Sequence, residues 1–146
     1  MSWQALKEGN KELADFGRER FSSRVAYLAT IRKDGSPRVH PVTPIIGDTR
    51  LFLFMESTSP KGIDLKRDGR YALHASVEDA GGGEGEFFIT GFAQLVEDPD
   101  IRATAKQYAS YDPADRYILF QLDLTSAFSN IYQSDGPPLR RRWRIE

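Results

Sequence analysis

The sequence contains no cysteine. That excludes disulfides, thiol catalysis and cysteine-ligated metals. Histidine is nearly as scarce, with only His40 and His74. They stand far apart without a local carboxylate motif, so they define no metal-ligand set. No Ser-His-Asp arrangement is legible either, and no catalytic residue is assigned. No run approaches the ~18 apolar residues of a membrane span. Neither sign of charge dominates, with 20 basic and 21 acidic side chains and a net charge of −1. A bulk nucleic-acid binder is usually more basic. Met1-Ser2-Trp3-Gln4 carries no basic-then-apolar signal pattern. The expectation is a cytoplasmic protein without nucleic-acid or membrane partners, with residues 1–146 forming one domain.

Aromatic residues, in contrast, are plentiful: nine Phe, six Tyr and two Trp. They favour strands, a packed interface or a flat ligand. Ser2 to Arg20 reads as a helix with Trp3, Leu6, Leu13 and Phe16 near one face, Ser2 as its cap and a weak point at Gly9-Asn10. From Arg24 the period changes to two. Asp34-Gly35 supplies a hairpin turn, and the chain returns through Arg38 to Ile46, turns at Gly47-Asp48 and runs out through Leu51-Phe52-Leu53-Phe54. This predicts a three-strand meander. Pro37, Pro41 and Pro44 place its middle strand at an edge, with backbone groups free for a ligand.

Ser59 caps a short helix that has Pro60 in its first turn and ends at Gly69. Tyr71 to Val77 is a strand, and Ala80 to Gly85 a flexible loop whose spacing does not match a dinucleotide-binding glycine motif. Glu86 to Val96 is a long strand with a bulge or bend at Gly91. Asp98 caps a helix from Pro99 to about Tyr108. Strands follow at Ile118–Leu124, Phe128–Tyr132 and Leu139–Ile145. The sum is a mainly β, β+α chain: six to eight mostly antiparallel strands in a barrel or sandwich, with about three helices.

Thr58-Ser59-Pro60-Lys61 is the segment that speaks most directly to function. Hydroxyls and a lysine at a helix start suit a phosphate, because free N–H groups and the helix dipole favour an anion. The same residues also serve as an ordinary helix cap. In the last strand Arg140, Arg142 and Arg144 share one face. They either protect an edge or, with Trp143, approach an anionic cofactor or substrate.

The stretch VAYLATIRKDGSPRVHPVTPIIGDTRLFLFMESTSPKGIDLKRDGR, followed by EFFITGFAQLVEDPD and a helix, resembles the flavin mononucleotide-binding split-barrel proteins related to pyridoxamine 5′-phosphate oxidase. The resemblance covers about Phe21 to Tyr108. It implies an antiparallel split β-barrel, a homodimer with flavin mononucleotide (FMN) at its interface, and hydride transfer with a small-molecule substrate. It implies that Arg38 approaches the flavin and its phosphate. His40, Pro41, Val42 and Thr43 border the ring, Phe54 and Met55 flank it, and Ser59 and Lys61 hold the phosphate with Thr58 nearby. Pro60 stands where the family often has a basic residue, which implies a weaker phosphate grip. No histidine follows His74, so the vitamin reaction itself is not expected. Alternatives on the same fold are a non-catalytic flavin carrier or sensor and a deazaflavin-dependent reductase. A dimerisation module without flavin is a further one.

Overall fold

Asn10 divides the N-terminal helical stretch in two. In this computed structural model, which describes residues 2–22, 24–47 and 49–145, α1 covers Trp3–Gly9 and α2 covers Lys11–Phe21. The Asn10 side chain accepts a hydrogen bond from the Leu13 N–H at 3.1 Å and so caps α2. Ser2 precedes α1, but its side chain makes no capping bond. The predicted weak point is therefore a full break, and with α3 (Pro60–Arg67) and α4 (Pro99–Tyr108) the helices among the described residues number four.

Among the described residues eight strands follow the period-two segments: β1 Ala26–Ile31, β2 Pro37–Val42, β3 Ile45–Ile46, β4 Leu51–Met55, β5 Arg70–Ala75, β6 Glu86–Val96, β7 Ile118–Ile131 and β8 Leu139–Arg144. They pair antiparallel in the order β2-β1-β5-β6-β7-β4-β3, with β8 also on β7. The sheet curls as a split barrel. β7 joins its two parts: its first residues pair with β4 and its last with β8, while β6 runs along its other side.

Two strand expectations change. The run from Arg38 to Ile46 is not one strand, because the ladder stops at Thr43-Pro44, where proline lacks the N–H to continue it. β2 then ends one side of the sheet and β3 the other, so two separate hairpins replace the meander. The segments at 118–124 and 128–132 are a single strand of 14 residues. The placement of the proline-bearing β2 at an edge is as expected.

The core lies between the inner sheet face and the N-terminal helices. Trp3, Phe21 and Phe87 meet there, with ring centroids 5.2 to 6.2 Å apart. Gly17 lets α2 approach this closely, since a Cβ there would fall 2.3 Å from the Phe87 ring. The bulge at Thr90/Gly91 has the same origin: a Cβ on Gly91 would stand 1.8 Å from the Asp123 carbonyl oxygen. The glycine-rich loop before β6 is tied rather than loose. Glu84 accepts from the buried Arg20 and from Arg24, which holds its carboxyl below the usual range despite opposing desolvation. Among the described residues no helix is long and apolar enough to cross a membrane.

Candidate functional site

α3 packs against β1 and β6, and its Asp64 reaches Arg38 on the edge strand β2. Ser59 is extended at φ −64° and ψ 140°, and its hydroxyl both accepts from the Gly62 N–H at 3.2 Å and donates to the Glu56 carbonyl at 2.8 Å. It is a capping residue, as the spacing predicts. Lys61 follows, half-buried and without an ion-pair or hydrogen-bond partner among the described residues. Burial lowers its pKa from the ordinary lysine value. Thr58 is exposed beside the cap.

A recess opens between α3 and the β1–β2 turn. Arg32, Lys33, Arg38 and Arg67 line it together with the carboxylates of Asp34 and Asp64. Arg38 projects from β2 and donates its Nε–H to Asp64 Oδ2 at 2.8 Å. Asp64 lies on the inner side of α3 with 2% of its surface exposed. It also accepts from the Thr30 hydroxyl at 2.8 Å and from Arg67 Nη2 at 3.1 Å. Burial pushes the Asp64 carboxyl up, but these three bonds outweigh it and hold the group below the usual carboxylate range. The recess is therefore cationic, with a neutralised floor and open guanidinium edges.

Along β2, His40 and Pro41 are exposed, Thr43 is half-buried and Val42 turns inward. The His40 ring sits 2.8 Å by its Nδ1 from the Pro41 carbonyl oxygen. Phe54 and Met55 are both buried, Phe54 beneath the Arg102 guanidinium and Met55 in the main core. They offer a ligand backbone rather than side chain. The structure thus brings Arg38 and Pro60 to one recess, with Lys61 on the next helical residue. Trp143 lies elsewhere. It sits on β8, five strand spacings from β2 and on the order of 24 Å along the sheet, packed on Gly9 of α1.

The outer sheet face carries a feature that the strand pattern alone does not announce. Pro41, Tyr27, His74, Phe88, Phe128 and Arg142 are cross-strand partners in one continuous row. His74 stacks on Phe88 at 5.8 Å and 9°, and Arg142 lies 5.4 Å over Phe128. Beside them Phe88, Thr90, Ser126, Phe128, Arg142 and Arg144 border a second recess. Sequence periodicity places each aromatic on the outer side of its own strand, but only the register aligns them.

The protein-family model described as pyridoxamine 5′-phosphate oxidase matches residues 10–145. The chain belongs to this family. No curated protein matches the sequence. Among solved structures, a conserved hypothetical protein of Mycobacterium tuberculosis is similar, with a TM-score of 0.66 at 22% identity over 82% of each chain. PhzG of Burkholderia lata, solved with tetrahydrophenazine-1-carboxylic acid, gives a TM-score of 0.68 at 18% identity over 98% of this chain and 87% of PhzG. A heme-binding protein of Mycobacterium smegmatis gives 0.69 at 17% identity, over 88% of this chain and 57% of that one. At such identities these likenesses concern the fold.

Within this pyridoxamine 5′-phosphate oxidase-family chain, Asp64 and Arg67 are the site residues that sequence reasoning missed. Their i, i+3 spacing on α3 was a readable signal for a helix-face ion pair. Their link to Arg38 and Thr30 depends on the fold.

Proposed function

We propose that the protein binds FMN at a homodimer interface and transfers hydride between that flavin and a small organic substrate. The observation that carries this reading is the corner where α3 begins. There a half-buried Lys61 without a counter-charge among the described residues stands next to Pro60, which shares a recess with Arg38. A phosphate supplies the missing negative charge, and both terminal nitrogens of Arg38, without partners among the described residues, can donate to it. The edge strand β2 is paired on one side only, so along His40, Pro41, Val42 and the following Thr43 alternate residues turn their backbone groups away from β1, which suits the polar rim of a flat ring. Met55 shares the main core with Val42 at the end of β2, Phe54 packs in the second cluster beside Ile45, and Thr58 and Ser59 frame the phosphate corner. When bound, the flavin supplies the redox chemistry, and the protein holds and orients it.

The dimer reading draws on the outer face. Tyr27, Val39 and Phe92 are exposed on it, Val39 by 65%. An apolar sheet face of this kind suits a second copy.

Titration with FMN and with riboflavin, followed by visible absorption and flavin fluorescence, tests the reading. FMN binds more tightly than riboflavin, which lacks the phosphate. Lys61→Ala weakens FMN binding by about 1.5–3 kcal/mol, the worth of a hydrogen bond to a charged group. Equal affinity for the two flavins would overturn the phosphate assignment. Heme is the control ligand, and a His40-dependent heme spectrum without flavin binding would overturn the flavin reading.

A further inference from the structure

We infer that Asp64 is a positioning residue that sets Arg38 and Arg67 as a two-arginine clamp for the ligand's phosphate. The inference rests on the flavin reading and deepens it. It starts from a shortage of donors at the helix start. The Ser59 hydroxyl already gives its proton to Glu56 and takes the Gly62 N–H. Pro60 has no N–H, and the Ile63 N–H is bonded to the Ser59 carbonyl at 3.0 Å. Among the described residues, the Lys61 N–H and its ammonium are the donors left in that turn, with the exposed Thr58 hydroxyl just before it.

The open donors nearby belong to the two arginines. Asp64 takes Arg38 by its Nε, which leaves the Nη1 and Nη2 edge outward. It takes Arg67 by Nη2, and the same nitrogen reaches the Ile31 carbonyl, which leaves Nη1 and Nε without partners among the described residues. Both side chains line the recess that begins at Pro60. One carboxylate against two guanidiniums leaves a net positive charge, and Arg32 and Lys33 add to it. Asp34 also lines the recess and, bonded to Ser36 across the turn, keeps its negative charge, so four cations face two carboxylates and the lining stays net positive. A nearly buried carboxylate is costly unless fully bonded. Here every bond that offsets the cost also fixes a guanidinium or the strand beneath it, so the clamp is set before the ligand arrives.

The test reads phosphate recognition separately from folding. The ratio of riboflavin to FMN dissociation constants is measured for the wild type, Asp64→Asn, Arg67→Gln and Thr30→Val, with thermal melts to establish that each is folded. The ratio falls about tenfold in Asp64→Asn and in Arg67→Gln, the loss of one charge-assisted hydrogen bond, while riboflavin affinity is unchanged. Thr30→Val lowers it less. An unchanged ratio in Arg67→Gln overturns the clamp and leaves the flavin reading standing. Should Asp64→Asn not fold, Arg67→Gln and Thr30→Val decide. A wild type that binds neither flavin overturns the flavin reading, and inorganic phosphate then decides the clamp. Followed by NMR of the arginine Nε–H signals, phosphate shifts Arg38 and Arg67 together in the wild type but not in Arg67→Gln. Absence of those shifts overturns the clamp.

Discussion

Asp64 holds a charge that its burial opposes. Its carboxyl is depressed in the folded state, so it adds stability at any pH above the ordinary carboxylate range. That contribution falls away as acid titrates the folded group. Asp64→Asn should destabilise the protein by about 3 kcal/mol at neutral pH, the low end for a broken buried pair because both guanidiniums reach water. It should also flatten the acid limb of the stability curve, and urea melts from pH 7 to 3 would check both. An unchanged pH profile would mean that Asp64 is not the titrating group. The sequence offered Arg38 and Lys61 by their place in a recognisable order of elements. Asp64 escaped because an aspartate in a polar helix is unremarkable until Thr30 and Arg38 come from other strands to surround it.

Caps and the bulge were the most legible elements, because their chemistry is local. Ser59-Pro60 and Asp98-Pro99 mark the starts of α3 and α4, and both caps accept first-turn N–H groups. Ser59→Ala should cost about 1 kcal/mol of stability by denaturant unfolding. Gly91→Ala should cost more, about 3 kcal/mol, because the added Cβ meets backbone that cannot move aside. A neutral Gly91→Ala would show that the β6–β7 ladder can shift to absorb it. Less legible were the break at Thr43-Pro44 and the continuity of β7. Both depend on which strand lies alongside, which a run of residues does not encode. Leu124 and Phe128 each read as strand, while Thr125 and Ser126 between them read as a gap until β6 pairs with Ser126.

At the scale of the whole molecule, alternation of apolar residues was enough to indicate an antiparallel β protein with flanking helices. The strand order was not indicated, and with it went the aromatic row across the outer face. That face makes a direct prediction about assembly. Val39→Asp with Phe92→Asp places charge on two of its exposed apolar residues. Sedimentation velocity should show a shift from dimer to monomer, with unchanged far-UV circular dichroism. A wild type that sediments as a monomer would refute the interface.

Gly9 and Trp143 touch, although they stand near opposite ends of the sequence. Joining them closes almost the entire chain into a loop, an entropic cost that grows only slowly with length but falls due at a late step. β8 gains its ladder from β7 alone, so docking of this terminal strand should trail formation of the central sheet. Trp3 is fully buried in the core and Trp143 is half-buried on α1, and these are the two tryptophans of the chain. Their emission therefore gives two clocks for refolding: one for collapse around Phe87, and a slower one for the moment the chain ends meet.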